Sequence, residues 1–574
     1  MHKFKLLLLS LILVACSGTH HETLRTASLL PGHKRSQHEA TSQGFMITSQ
    51  GTVSSSAGFE MFRQGGNIID AAVAVSFAIS VERPQSTGIG GGGFLIFYEK
   101  KTGKSHVFDF REVAPLRSHS KMYLNKDGTP NPDKSIYGPH AVAVPGLVRG
   151  LWDIHKRFGK LSWDKTLQPA IRLAEEGLPV YPHLIAAIKE ESPQLKADLD
   201  AKEIFFQKDG SVPYQGQLLK QTDLAKTLRK IAKEGPKGFY EGTVAKSIVQ
   251  TVRSRGGIIS LEDLKSYRSK ERQAVRGKYH NYEIISMPPP SSGGTHVVQI
   301  LNLLEKQNLV QWGPQHPESI HRIATAMQIS FADRAKYMGD PDFNPIPSKK
   351  LSSKAYAAHM QKYFGEKALP SSTFPLKKIP DGPTETTHFS LADRDENIVV
   401  STQTINGWFG SGMVARGTGI VLNNEMDDFA QAVGASNLFG AIGGDKNLVA
   451  PKKRPLSSMS PTLVLKDGKP FLALGTPSGT RIISCVAQTM LNVLEFRLPL
   501  YEAVAATRIH HQWQPEELRV ENPSLPDATL LALRQKGHAV TNPVLGCQIQ
   551  AIQRVGKQWV GVSDPRGEGL AVGE

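Results

Sequence analysis

The sequence predicts an α+β protein, with amphipathic helices and short strands mixed along the chain. Three observations predict it. Segments such as "GLVRGLWDIHKRFG" (146–159) and "LQPAIRLAEEG" (167–177) carry apolar residues at helical spacing and close on glycine. Runs such as "FLIFYEK" (94–100) are short, apolar and aromatic, as strands are. A proline-rich stretch at 364–385 then runs directly into a hairpin pattern. The chain has 574 residues, enough for two to four ordinary domains or one large enzyme fold.

The elements follow in order. "MHKFKLLLLSLILVAC" places Lys3 and Lys5 before an apolar run from Leu6 to Ala15, then Cys16. That run is too short to span a bilayer and suits a signal peptide. A small residue directly before Cys16 resembles the bacterial lipoprotein signal, in which the cysteine is lipidated and begins the mature chain. Residues 1–15 are therefore read as the signal and 16–45 as a polar, flexible tether. "NIIDAAVAVSFAISV" (67–81) is Ala-rich with Asp70 in its first turn and reads as a helix. Next comes "STGIGGGGFLIF" (86–97), where Gly88, Gly90 and Gly93 fit G-x-G-x-x-G. A dinucleotide fingerprint needs a strand before the glycines and a helix after them. Here the order is reversed, so the loop is read as a tight turn where backbones pass closely.

Further on, "MPPPSSGGTH" (287–296) is a loop, since three prolines exclude helix and ladder alike. "SIHRIATAMQISFADRAKYMG" (319–339) is a long helix with Ser319 as its expected N-cap. The stretch 364–385 has four prolines and no periodicity, and reads as an exposed linker suited to cleavage. "TTHFSLADRDENIVVSTQTING" (386–407) follows as strand, acidic turn and strand.

Bulk properties exclude several classes. The net charge is +16, from 68 basic and 52 acidic residues. The positives are scattered, with no basic helix and no interleaved aromatics, so a solvated basic surface is expected and no nucleic-acid partner. No His or Cys cluster has metal-ligand spacing, and the adjacent pair His510 and His511 reads as structural, so no metal or other cofactor is expected. Cys485 and Cys547 are left as either one disulfide or two buried thiols.

A threonine that begins a strand after a cleavable linker has a chemical reading. Its hydroxyl is a poor nucleophile unless a base takes the proton. Cleavage before Thr386 frees its own α-amino group, which titrates near neutral pH in model compounds. Before cleavage, the same hydroxyl can attack the Glu385 carbonyl.

"TTHFS", "NNEMDDF" (423–429), "RPLSSMSPT" (454–462), "DFRE" (109–112) and "GIGGGGF" together resemble the γ-glutamyltransferase family, from about Met46 to "SDPRGEG" (563–569). The resemblance implies a four-layer αββα sandwich of the N-terminal-nucleophile hydrolase type, one fold built from two autoprocessed chains. It implies a large subunit, 46–385 after the signal and tether, and a small catalytic subunit, 386–574. Thr386 would be the nucleophile and Thr404 the hydroxyl that hydrogen-bonds it. Arg111 would clamp the substrate α-carboxylate, a task for a planar bidentate donor. Glu425 and Asp428 would hold the α-ammonium, and Asn406, Ser457 and Ser458 would complete the head-group bonds. Ser478 and Gly479 in "GTPSGTR" would supply oxyanion N–H groups.

Two positions depart from the family pattern. Ser478 stands where a second glycine is usual, which matters if that position needs positive φ. Phe439, in the lid "AQAVGASNLFGAIGGD" (430–445), stands where Tyr is common, and without the hydroxyl a looser lid is expected. The implied activity is transfer of the γ-glutamyl group of glutathione or similar small molecules to water or amine acceptors. The implied partners are the two halves of the chain itself, with the membrane met only through the lipid on an exported, periplasmic protein. Competing readings are an acylase or polyglutamate depolymerase on the same fold, and a ligand-binding lipoprotein without catalysis.

Overall fold

The computed structural model describes residues 25–26, 37–374 and 386–574. The expected signal peptide, Cys16, most of the expected tether and Glu385 lie outside the described residues. Among the described residues no helix is long and apolar enough to cross a membrane.

Two antiparallel sheets lie face to face. Their strands in chain order are β1 (Arg25–Thr26), β2 (Gln37–Ser42), β3 (Met46–Ser49), β4 (Gly92–Glu99), β5 (Lys104–Asp109), β6 (Lys270–Arg272), β7 (Val275–Tyr279), β8 (Tyr282–Ser286), β9 (Thr387–Ala392), β10 (Ile398–Thr404), β11 (Thr462–Lys466), β12 (Lys469–Gly475), β13 (Gln550–Val555), β14 (Gln558–Ser563) and β15 (Leu570–Gly573). One sheet runs β15-β3-β9-β10-β4-β5-β6, the other β1-β2-β14-β13-β12-β11-β8-β7. Strands β9 and β10 touch β12 and β13 across the interface. Helices α1 (Thr52–Arg63), α2 (Ile68–Glu82), α3 (Leu147–Phe158) and α4 (Trp163–Glu176) cover the first sheet. Helices α5 (Gly293–Leu304), α6 (Pro317–Tyr337) and α7 (Arg481–Leu494) cover the second. The result is the α-β-β-α order that the resemblance implied.

The central hairpin shows why its strands read as continuous apolar runs rather than alternating ones. Successive side chains of a strand point to opposite faces. Val399 packs into the core under α1–α4, while Ile398 and Val400 pack into the core between the sheets and the second helical layer. Both faces are covered, so both demand apolar residues.

Several sequence expectations need correction. Gln37–Ser42, expected within the tether, forms β2 against β14 and so belongs to the fold. The loop at 287–296 ends early: Gly293 begins α5, because the prolines stop at Pro290. Helix α6 starts two residues before Ser319, with Pro317 at its first turn and the His316 ring accepting from the Glu318 N–H. The described part of the linker is held rather than free. The Ala368 N–H donates to the Lys536 carbonyl, and Trp513 Nε1 donates to the Ser371 carbonyl at 3.1 Å. Cys485 and Cys547 are joined as a disulfide between α7 and the loop before β13.

Candidate active site

The hairpin register places the nucleophile candidate. Thr387 pairs with Gln403 and His388 with Thr402, so one step further Thr386 stands opposite Thr404. Thr386 Oγ1 donates to Thr404 Oγ1 at 3.3 Å, and Thr404 Oγ1 accepts the Asn406 N–H at 2.8 Å. Alternation puts Thr386 on the same face as His388, towards the second sheet. His388 is buried there between Thr402 and Ser390, and burial pulls its pKa down to about 3, so its ring is neutral.

Strand β12 ends beneath this hairpin. A side chain at Gly475 would meet the His388 ring at 2.3 Å, so only glycine fits. The chain then turns through Thr476 to Thr480 and enters α7, whose N-terminus carries the positive end of a helix dipole. Ser478 has φ 105° and Gly479 φ 52°. The position of the unusual serine is therefore one that needs left-handed backbone, a strained conformation for a residue with a Cβ. Its hydroxyl donates to the Leu545 carbonyl and accepts from Arg481 Nε at 3.0 Å, which anchors the strained turn. Gly479 lines the pocket, and its N–H has no acceptor among the described residues.

The other end of the pocket is charged. Arg111 is buried and ion-pairs with both Glu425 and Asp428, with Glu112 3.8 Å away. Its Nε donates to the Pro455 carbonyl at 3.3 Å. Burial is the largest cause that raises the carboxyl pKa values here, against the pull of Arg111: Glu112 is pushed up to about 8, and Glu425 and Asp428 also rise. Asp428 lines the pocket, whereas Glu425 sits behind Arg111 and away from the wall. Ser457 and Ser458 line it too, with Ser458 Oγ accepting from Arg334 Nη2 at 3.0 Å.

The lid closes the pocket through Phe439, whose ring packs against Gly479. The expected looseness is offset by other ties. Asn437 Nδ2 donates to Asp428 Oδ1 at 2.7 Å, the Leu438 N–H donates to Asp427 Oδ2 at 2.7 Å, and Gln512 Nε2 donates to the Phe439 carbonyl at 3.3 Å.

The structure thus brings Thr386, Thr404, Asn406, Arg111, Asp428, Ser457, Ser458, Phe439 and Gly479 to one cavity. Ser478 adjoins it in the turn that enters α7. The glycine loop turns out to be a packing device. A Cβ at Gly91 would lie 2.0 Å from the Thr404 carbonyl, and one at Gly92 2.5 Å from the Phe110 carbonyl. The loop lets the strand bearing Thr404 and the segment bearing Arg111 close on each other. Asn423 ties it to the acidic loop, donating to the Gly90 carbonyl at 2.7 Å. Arg334 and Asn437 were missed. Arg334 lies in the last turn of α6, where a basic residue reads as a partner of the helix dipole.

Among the described residues no group of three His, Cys, Asp or Glu side chains could hold a metal ion. The family described as gamma-glutamyltranspeptidase matches residues 54–574. The glutathione hydrolase proenzyme of Escherichia coli is 41% identical over 92% of this chain and 91% of its own length. A cephalosporin acylase from Bacillus halodurans superposes with a TM-score of 0.82 at 26% identity, over 94% of this chain and 97% of its own. A Helicobacter pylori gamma-glutamyltranspeptidase chain is 41% identical with a TM-score of 0.56, covering 57% of this chain and 94% of its own. With its fold, its threonine at the head of the central hairpin and these matches, the chain belongs to the γ-glutamyltranspeptidase family of N-terminal-nucleophile hydrolases.

Proposed function

We propose that this protein cleaves itself between Glu385 and Thr386 and then transfers γ-glutamyl groups, from glutathione and related donors, through an ester on Thr386. The observation that carries the reading is the pairing of two unlike ends in one cavity. Thr386 and Gly479 stand at one end, and Arg111 with Asp428 at the other. That pairing fits a carbonyl to be attacked and a free amino-acid head group to be held.

The steps follow from the groups. The freed α-amino group of Thr386 takes the hydroxyl proton as Oγ1 attacks the γ-carbonyl. The N–H groups of Ser478 and Gly479, at the positive end of α7, stabilise the oxyanion. The intermediate collapses, the leaving amine takes the proton from the ammonium, and the γ-glutamyl ester remains. Water or an acceptor amine then attacks the ester by the reverse proton path. Arg111 binds the α-carboxylate, Asp428 the α-ammonium, and Asn406, Ser457 and Ser458 orient the head group. Glu425 contributes through Arg111, whose orientation it fixes.

The likeness to a cephalosporin acylase favours a second reading, hydrolysis of acyl groups that carry a carboxylate and no ammonium. Asp428 at the pocket wall opposes it, because its charge repels a donor that brings a carboxylate and no ammonium to balance it. Comparing γ-glutamyl p-nitroanilide with glutaryl p-nitroanilide tests the choice. The proposed function requires strong preference for the former and a γ-glutamyl adduct on the fragment beginning at Thr386. Preference for the glutaryl donor establishes the acylase. The sequence signals support export with a lipid on Cys16, the remaining 16–385 segment as large subunit and 386–574 as small subunit.

A further inference from the structure

Arg334 is the one buried guanidinium at the pocket that the reading above leaves without a task. It projects from the last turn of α6 and is 5% exposed. It lines the same cavity as Thr386 and Asp428. Among the described residues it makes no ion pair. Its partners are two hydroxyls: Nε donates to Ser292 Oγ at 3.0 Å and Nη2 to Ser458 Oγ at 3.0 Å. A buried cation with no direct ion pair, attracted only through space by Asp428, is costly, so its retention needs a reason.

Hydrogen-bond direction supplies one. A guanidinium only donates. Ser292 Oγ accepts from Arg334 and passes its own proton to the Ser457 carbonyl at 2.8 Å. This ties α6 to the 457–458 backbone. Ser458 Oγ also accepts from Arg334, so its proton must point elsewhere, and no acceptor among the described residues receives it. Burial lowers the Arg334 pKa to about 10, with the Asp428 charge opposing the shift and the Arg111 charge adding to it, and it remains charged at neutral pH.

We propose that Arg334 is a positioning residue that fixes Ser458 as a hydrogen-bond donor and places a second positive charge beside Arg111, making the pocket selective for donors with a free α-carboxylate. The inference rests on the reading that Arg111 and Ser458 receive that carboxylate. A charge-assisted bond turned into a donor for a carboxylate acts on substrate binding and not on the acyl-transfer groups.

The test measures kcat and KM for γ-glutamyl p-nitroanilide and for γ-aminobutyryl p-nitroanilide, which keeps the amine and lacks the carboxylate. The enzymes compared are wild type, Arg334→Met, Arg334→Lys, Ser458→Ala, the Arg334→Met/Ser458→Ala double variant and Arg111→Met. Arg334→Met should lower kcat/KM for the glutamyl donor by about 30-fold, mainly through KM, and change the aminobutyryl donor by less than about 3-fold. Arg334→Lys keeps the charge but cannot reach both hydroxyls, and should recover part of the loss. Ser458→Ala in the Arg334→Met background should cost almost nothing more. Should Arg334→Met fail to mature, the Lys variant carries the same donor comparison, with a smaller loss expected on the glutamyl donor alone. Equal losses on both donors, or full additivity with Ser458→Ala, would overturn the proposal. If Arg111→Met abolishes discrimination while the Arg334 variants preserve it, Arg334 has no such role and the functional reading stands. If Arg111→Met also preserves discrimination, the reading of the carboxylate end fails, and this proposal with it.

Discussion

The two ends of the pocket solve different problems with different chemistry. At the proposed acyl-transfer end the groups are hydroxyls and backbone N–H groups: Thr386, Thr404 and Gly479, with the imidazole of His388 kept neutral behind them. At the head-group end they are ions: Arg111 held between Glu425 and Asp428, with Arg334 and Glu112 close by. Both ends are buried, so the contrast is one of chemistry and not of exposure. Charge recognises a zwitterion, which carries both signs before and after reaction. Neutral donors and a freshly made amine serve a transition state whose charge is transient. Damage to the first end should therefore remove chemistry and maturation, and damage to the second should weaken donor binding.

The largest expected effect is at the nucleophile. Thr386→Ala should remain one uncut chain, with activity at least about ten-thousand-fold below wild type. Denaturing electrophoresis and an anilide assay read both, and a mature, active variant would dissolve the distinction between the ends. Asp428→Asn comes next. It should mature normally yet lose about 100-fold or more in kcat/KM for a γ-glutamyl donor, chiefly in KM, because Arg111 loses one buried counter-ion and the ammonium loses its carboxylate. A defect in maturation instead would mean that the charged end also serves self-cleavage. Asn437→Ala removes the lid's bond to Asp428 and should raise KM by about 5-fold with kcat nearly unchanged. The smallest effect belongs to Ser478. Ser478→Gly keeps the N–H and relieves the positive φ, so kcat should stay within about 3-fold of wild type. Ser478→Ala keeps the strain and loses the bond to Leu545, and should be less stable than the Gly variant by about 1 kcal/mol or more in thermal unfolding.

Much of the acyl-transfer end was legible in the sequence because its logic is local. A strand-initiating threonine after a proline-rich linker, and the hairpin that follows, both read from one continuous stretch, while Thr404 was singled out by the resemblance and its place opposite Thr386 by the register. The glycine loop was legible in part. Helix-before-strand order ruled out phosphate binding, but its contact with the Thr404 carbonyl is a meeting of distant segments. The head-group end was legible only through the family resemblance. "DFRE" alone reads as a surface ion pair and Glu425 with Asp428 as a solvated helix face or a cap, and nothing local tells that Arg111 and Asp428 meet across 317 positions. Arg334 was hidden for the same reason, since a basic residue at a helix C-terminus has an ordinary explanation. Ser478 is the converse case: the residue was flagged, but only the backbone angle shows that the position needs φ > 0. The N-terminus of α6 was misplaced because Ser319 is a better cap by type, while Pro317 fixes the helix start two residues earlier.

The central claim is that Thr386 becomes the first residue of a second chain and thereby gains its own base. Intact mass and N-terminal sequencing of the purified, denatured wild-type protein test it most directly. The account predicts two chains, the smaller one running from Thr386 to Glu574. A single uncut chain would contradict it, because the α-amino base would never form and the fold would stand without its chemistry.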